Sequence, residues 1–433
     1  MSRIEKINWI HPALPALRSP SLCALMLPIV AFSSFADPHI DDFNVAPFAA
    51  APFVAPHDVT EVMVILSNHL DAGFNVRAWC AHPNPCNAPN APHDPSLLEC
   101  RPWAYYVIQQ NFDDFFPRAI AAANALRNTS SGYSYMTQPW IVDFYLDCEA
   151  SGLNDWRPPH APLLTCPNAS TIAAFKDAVS RGDIWWHAFP HNSCPDTYDA
   201  SLFSSSLRMG KRLASQLGVR SPTTMSQRDE TGMTRAIIPL LAANNISVFS
   251  LGSGGSSGGH PRIPDVFNWI DPHTSKEVIV VFDHGYGGGT HILPDGTAVY
   301  CAWNTDNGGP LSAASAAAIY QKLQKTYPNA NVRAATFDEF ADVAVAQRDL
   351  LPIVTEEIGD TWLYGVPSDA LKGSTFREMS RLRAACIATE EDNKTGPNCD
   401  VDHPTMIRFD RLLTKVPEHT WGEDTTWSVE HAR

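Results

Sequence analysis

Positive charge is scarce in this chain: 31 Lys and Arg stand against 46 Asp and Glu, giving a formal net charge of -15, and no basic block occurs anywhere. A phosphate backbone needs a positive surface, so nucleic acid is excluded as a partner. Long apolar runs are missing too. Beyond the N-terminal leader no segment approaches the roughly 20 consecutive apolar residues of a membrane span, so no membrane partner is expected. There is no C-x-x-C pair to suggest a zinc knuckle. The Gly/Ser run from Gly252 to Gly259 lacks the Lys-Ser/Thr ending and the spacing of a phosphate cradle, and reads as a flexible active-site loop.

What is present points to export. In the first 36 residues, Arg3, Lys6 and Arg18 precede the apolar run LCALMLPIVAF and the small-residue tail SSFA. This is the layout of a secretory signal, with cleavage expected near Ala36 and a secreted, extracellular product. Sequons at Asn128, Asn168, Asn245 and Asn393 suit that route. Beyond the leader lie Cys80, Cys86, Cys100, Cys148, Cys166, Cys194, Cys301, Cys386 and Cys399. In an oxidising compartment most should pair, and the odd count leaves at least one thiol.

Residues 37–60 are rich in Ala, Pro and Phe and read as an extended lead-in. Short β-rich runs then alternate with longer helical patterns. The runs are VMVIL (Val62 to Leu66), YSYMT (Tyr133 to Thr137), DIWWH (Asp183 to His187), TTMSQ (Thr223 to Gln227), SVFSL (Ser247 to Leu251), EVIVVF (Glu277 to Phe282) and VRAATF (Val332 to Phe337). Strands joined by crossover helices pair in parallel. Seven such units over residues 61–350 predict an α/β fold, a seven-stranded parallel (β/α)7 barrel, with an open doubly wound sheet as the rival. Residues 351–433 carry helical patterns alone and predict a small helical subdomain completing the site.

In such a fold ligands meet the C-terminal strand ends. Those ends offer His69 and Asp71, Gln138 and Trp140, Trp186, His187 and His191, Asp229 and Glu230, then Asp283, His284 and Tyr286, and last Asp338 and Glu339. Each has a structural alternative. His187 beside two tryptophans fits a satisfied half-buried histidine, Asp338 and Glu339 fit the first turn of a helix, and Asp71 fits a turn cap. The H-x-D of SNHLDAGFN could ligate a metal, position water or close that turn.

HLDAGF (His69 to Phe74) resembles the His-x-Asp-Pro-Gly-Trp signature that opens the barrel of family 38 glycoside hydrolases, the zinc-dependent α-mannosidases. SQRDETGMTRAIIPLL (Ser226 to Leu241) is similar in layout to that family's nucleophile segment. The strings YMTQPW, WWHAFPHN, EIGDTWLYGVPSD and KVPEHTWG resemble more closely those of a related secreted group defined by a domain of unknown function, over roughly residues 60–424. The resemblance implies a zinc shell of His69, Asp71, Asp229 and His419, with Asp229 as nucleophile. The general acid it implies is Asp283, in DHGYGG, with Asp360 behind it. RDETG, Gln138 and WHAFPHN depart from the mannosidase pattern.

The expected function is a secreted zinc-dependent glycoside hydrolase acting on an oligo- or polysaccharide. Trp140, Trp186 and Trp421 would stack on pyranose rings, and His187, His284, Tyr286 and Asp360 would complete the substrate site. A polysaccharide deacetylase would use a metal-bound water. A polysaccharide lyase would use His187, His284 or Tyr286 as base. A non-catalytic carbohydrate-binding protein would keep the metal shell without the acid.

Overall fold

The computed structural model describes residues 54–72, 103–155, 163–230, 232–253, 263–285, 287, 289–304, 307–359, 370–390 and 399–420. Tyr286, Asp360, Trp421, Asn393, the signal region, most of the lead-in, the segment from Cys80 to Cys100 and most of the Gly/Ser run lie outside them.

The chain forms β1 (Glu61–Asn68), α1 (Trp103–Gln110), α2 (Phe116–Leu126), β2 (Tyr135–Thr137), α3 (Pro139–Leu146), α4 (Ala169–Ser180), β3 (Ile184–Trp186), α5 (Ala200–Leu217), β4 (Thr224–Asp229), α6 (Ile237–Ala243) and β5 (Val248–Ser253). There follow β6 (Val266–Asp271), β7 (Lys276–Asp283), β8 (Thr290–Ile292), β9 (Thr297–Asn304), α7 (Ala313–Thr326), β10 (Asn331–Ala334), α8 (Phe337–Ala346), β11 (Ile353–Val354), α9 (Ala370–Glu390) and α10 (Pro404–Leu413).

The strands make two sheets. In the first, β1 pairs in parallel with β2, β9 and β10, β2 with β3, and β8 runs antiparallel to β9. In the second, β4, β5 and β7 are parallel neighbours, while β6 is antiparallel to β7 and parallel to β11. The expected closed barrel is therefore corrected to a mixed α/β arrangement of largely parallel sheets, neither closed on itself. Between β3 and β4 the sheets touch through Ala188 N–H donating to Thr224 O at 2.8 Å, and no ladder joins them among the described residues.

The alternating side chains of a strand explain why the sheets face each other. Val62, Val64 and Leu66 of β1 enter one apolar cluster with α1 to α4 and α7, whereas Met63 and Ile65 enter another. That second cluster also takes Val299 of β9 and Val248, Ile279 and Val281 of β5 and β7, so it is the layer between the two sheets. Phe249, Leu251, Val280 and Phe282 turn the other way, onto α5 and α6.

Local chemistry sets the helix ends. Asp199 accepts from Leu202 N–H at the start of α5, which Gly218 ends at φ 68, a left-handed turn natural to glycine. Thr336 and Glu339 form a capping box on α8, so Asp338 and Glu339 occupy its first turn as expected. Cys148–Cys166 and Cys386–Cys399 are disulfide-bonded, and Cys301 is a buried thiol. Among the described residues no helix is long and apolar enough to cross a membrane.

Candidate metal centre

β1 is buried along nearly its whole length and delivers His69 and Asp71 just past its last residue. The turn is clamped from the far side by Asn307. Its Oδ1 accepts Asp71 N–H at 3.1 Å and its Nδ2 donates to Asp71 O at 3.1 Å, and Asn307 N–H donates to His69 O at 3.0 Å. Asp229 is the last residue of β4 and takes φ 70, a conformation that strains an L side chain and is held only where the surroundings impose it. His419 arrives from beyond α10 on a segment pinned by Cys194 N–H to Pro417 O at 2.9 Å and by His419 N–H to Asn192 O at 3.2 Å.

These four residues, taken from sites up to 350 positions apart, converge on one point. His69 Nε2 lies 2.6 Å from Asp71 Oδ1, 3.3 Å from Asp229 Oδ2 and 3.2 Å from His419 Nε2. His419 Nε2 lies 3.2 Å from both Asp71 Oδ1 and Asp229 Oδ2. Ligands about 2.0–2.1 Å from a tetrahedral centre are separated by about 3.3–3.4 Å. Four of the five distances fall close to that edge, and two imidazole nitrogens with two carboxylate oxygens are a donor set that zinc accepts. The residues therefore fit the ion that the family resemblance implies.

The electrostatics agree. Burial disfavours the charged form of His69, yet Asp71 and Asp229 outweigh it and hold the imidazole up at about 9. His419 is raised in the same way, against its burial, by Glu418, Asp229 and Asp71. Asp71 and Asp229 are pulled well below the usual carboxylate range by the two histidines despite burial. The cluster thus gathers positive charge about two ionised carboxylates. A divalent cation would displace the histidine protons there.

Around it sit residues the sequence did not single out. Glu418, fully buried, accepts Ala72 N–H and Thr420 N–H at 3.1 Å each, and its Oε1 is 3.0 Å from His419 Nδ1. Asn192, also fully buried, is 3.0 Å from His69 Nδ1 through Nδ2 and accepts Arg228 N–H at 3.0 Å through Oδ1. Both lie inside strings quoted above, WWHAFPHN and KVPEHTWG, but Asn and Glu are ordinary loop residues and only long-range contacts reveal their use.

A second polar group lies between the sheets. Asp283 Oδ1 is 2.6 Å from His291 Nε2, and its Oδ2 is 3.3 Å from Arg228 Nη2. Arg228 Nη2 also donates to Ser250 Oγ at 2.7 Å, and the guanidinium lies 4.0 Å from the Trp303 ring centroid. Burial pushes the Asp283 carboxyl up, but His291 and Arg228 bring it net below its ordinary value.

The remaining candidates are placed as follows. Trp140 is buried, its indole N–H donating to Arg411 O at 3.1 Å, and Trp186 is buried with its N–H on Gly210 O at 2.9 Å. Both have their rings inside the core rather than open to a sugar. His187 is fully buried, pushed down to about 3 by burial and then by Arg228. It stays neutral, but it is not the satisfied, half-buried histidine of the structural alternative, since it is fully buried and neither ring nitrogen has a hydrogen-bond partner among the described residues. His284 lies 3.3 Å from Asp265, away from the four-ligand cluster in its contacts.

Fold and site together define an α/β protein whose parallel strands carry a candidate metal centre at their C-terminal ends. No protein-family model matches the chain, and no curated protein matches it in sequence. Among solved structures it is similar to an alpha-mannosidase from Enterococcus faecalis V583, with TM-score 0.53 and 12% identity over 83% of this chain and 38% of that one. It is also similar to a protein of glycosyl hydrolase family 38 from Enterococcus faecalis, with TM-score 0.43 and 11% identity over 86% of this chain and 40% of the other. For a GH57 branching enzyme from Thermococcus kodakaraensis the values are TM-score 0.45 and 8% identity, over 84% and 85%. The chain therefore spans well under half the length of the alpha-mannosidase it matches. Its fold is similar to that of the alpha-mannosidase, in line with the motif resemblance.

Proposed function

We propose that the chain is a secreted zinc-dependent glycoside hydrolase acting on an α-linked sugar. The convergence of His69, Asp71, Asp229 and His419 at strand ends on this fold carries the reading. Those four residues would hold zinc, which when bound supplies Lewis-acid attraction for sugar hydroxyls.

Asp229 is the nucleophile in this reading. Its carboxylate is kept ionised by His69 and His419. Its side chain is 13% exposed where those of His69, Asp71 and His419 are 0%, 6% and 0%, so it is the member a substrate can reach. The constrained φ at the end of β4 fixes its direction. Asp283 remains the general-acid candidate by the motif resemblance, although His291 and Arg228 hold it ionised. That same ionised state favours a second reading, a carbohydrate-binding protein that retains the metal shell without an acid. Secretion is supported by the leader and the two disulfides, and by exposed sequon residues Asn128, Asn168 and Asn245.

The test is a panel of aryl α-glycosides followed by a fluoroglycoside trap. Hydrolysis with covalent labelling of Asp229, seen by peptide mass spectrometry, supports the retaining hydrolase. Sugar binding with neither turnover nor label would replace it with the binding-protein reading.

A further inference from the structure

We infer that Asn192 is the positioning residue of the metal centre, set where the three chain segments that supply its ligands meet. Its side chain reaches the ring of His69 at Nδ1 and, more loosely, Leu70 O at 3.5 Å. Its Oδ1 accepts the amide proton of Arg228, one residue before Asp229. Its own carbonyl accepts His419 N–H. The residue is fully buried, so none of these bonds competes with water.

The backbone carrying Asn192 is fixed independently of its side chain. Gln227 of β4 accepts Ser193 N–H at 2.8 Å and donates to His191 O at 3.2 Å, bracketing Asn192 on both sides. A substitution at 192 therefore removes the side-chain bonds while leaving the loop in place.

The amide is oriented by its partners. Arg228 N–H requires oxygen at one end, which turns the nitrogen towards His69 Nδ1. A histidine that ligates through Nε2 keeps its proton on Nδ1 and needs an acceptor there. In the wild type the amide supplies that acceptor by exchanging its ends, at the expense of the Arg228 bond. A carboxylate at this position accepts from both sides at once. Asn192→Asp should therefore hold zinc at least as tightly as the wild type, whereas Asn192→Leu, with neither donor nor acceptor, should hold it about 10- to 100-fold more weakly, the usual cost of losing an outer-shell partner.

The inference rests on the metal-centre reading, and one experiment separates the two. Zinc dissociation constants of the full chain and both variants are measured by competition with a chromophoric chelator, with melting temperature in EDTA as the folding control. Asn192→Ala replaces the leucine variant should the latter not fold. The expected order is Asp at least as tight as wild type and Leu or Ala weaker, with similar melting in EDTA. A wild type that loads zinc beside a Leu or Ala variant of equal affinity overturns the positioning role alone, as does an Asp variant as weak as Leu. A wild type that takes up no zinc overturns both readings.

Discussion

At the scale of single residues, the centre is a balance between burial and charge. His69, held up at about 9, keeps its proton because the two ionised carboxylates stabilise the imidazolium, so its contribution to stability is complete below its ordinary value of 6.5 and is lost as pH rises from there through about 9. Asp71 and Asp229 work in the opposite sense. Their contribution is present above the ordinary carboxylate value of 3.8 and disappears as pH falls towards their lowered folded values. Below pH 6.5 the buried neutral His187, held down at about 3, and His191, held down at about 4, work against the folded state, because the unfolded chain takes up their protons first. The metal-free protein should therefore melt highest near pH 6.5, and melting scans in EDTA should show a decline between pH 6.5 and 9. Zinc competes with the same histidine protons, so the rise in melting temperature on adding zinc should grow across that range. A zinc-induced rise that shrinks as pH increases would argue against these ligands. At Asp229, replacement by Asn should lower kcat by about a thousand-fold or more if it is the nucleophile, measured on the best glycoside found in the screen.

At the scale of elements, strand ends place the chemistry and the layer between the sheets holds them there. Arg228 reaches across that layer from β4 to Ser250, Asp283 and Trp303, and its course explains Gly252 in β5. A Cβ on Gly252 would lie 2.7 Å from Arg228 Cδ and 2.9 Å from its Nε. Because the guanidinium is pinned by several partners, Gly252→Ala should destabilise by about 1–3 kcal/mol through overpacking, readable as a lower urea midpoint with an unchanged slope. Arg228→Met, which leaves Asp283 with His291 alone, should cost about 3–5 kcal/mol, as expected for breaking a buried ion pair.

The elements also show what could be read from the residues. β1 and β7 carry continuous apolar runs and β5 an apolar run broken by Ser250, and pattern alone locates them. TAVYCAWN, which pairs with β1 along all eight residues, and VFNWID, which turns β7 into a hairpin arm, escape notice. The partner of TAVYCAWN lies far away in sequence, whereas VFNWID pairs with the strand directly after it, and such an antiparallel insertion leaves no mark on a strand and helix count. Closure into a seven-stranded barrel failed for that reason. The ligands divide the same way. H-x-D spacing brings His69 and Asp71 together locally, whereas nothing in composition or period joins them to Asp229 and His419. Only the motif resemblance did so. Asn192 and Glu418 were beyond reach because their roles exist only once residues 69, 72 and 228 lie beside them.

At the scale of the whole molecule, the leader expected from the sequence, the two disulfides and the exposed sequon residues support the proposed secretory route. Expressed through that route in a glycosylating host, it should lose mass on enzymatic deglycosylation, and Asn128→Gln, Asn168→Gln and Asn245→Gln should each remove one glycan. An unchanged mass would set the glycoprotein expectation aside. The central claim concerns metal. Elemental analysis of purified wild-type protein beside His69→Ala and Asp229→Ala is its most direct test. The account predicts about one zinc per wild-type chain, the complement of one tetrahedral site, and a marked loss in both variants. A wild type without zinc, or variants that retain all of it, would contradict it.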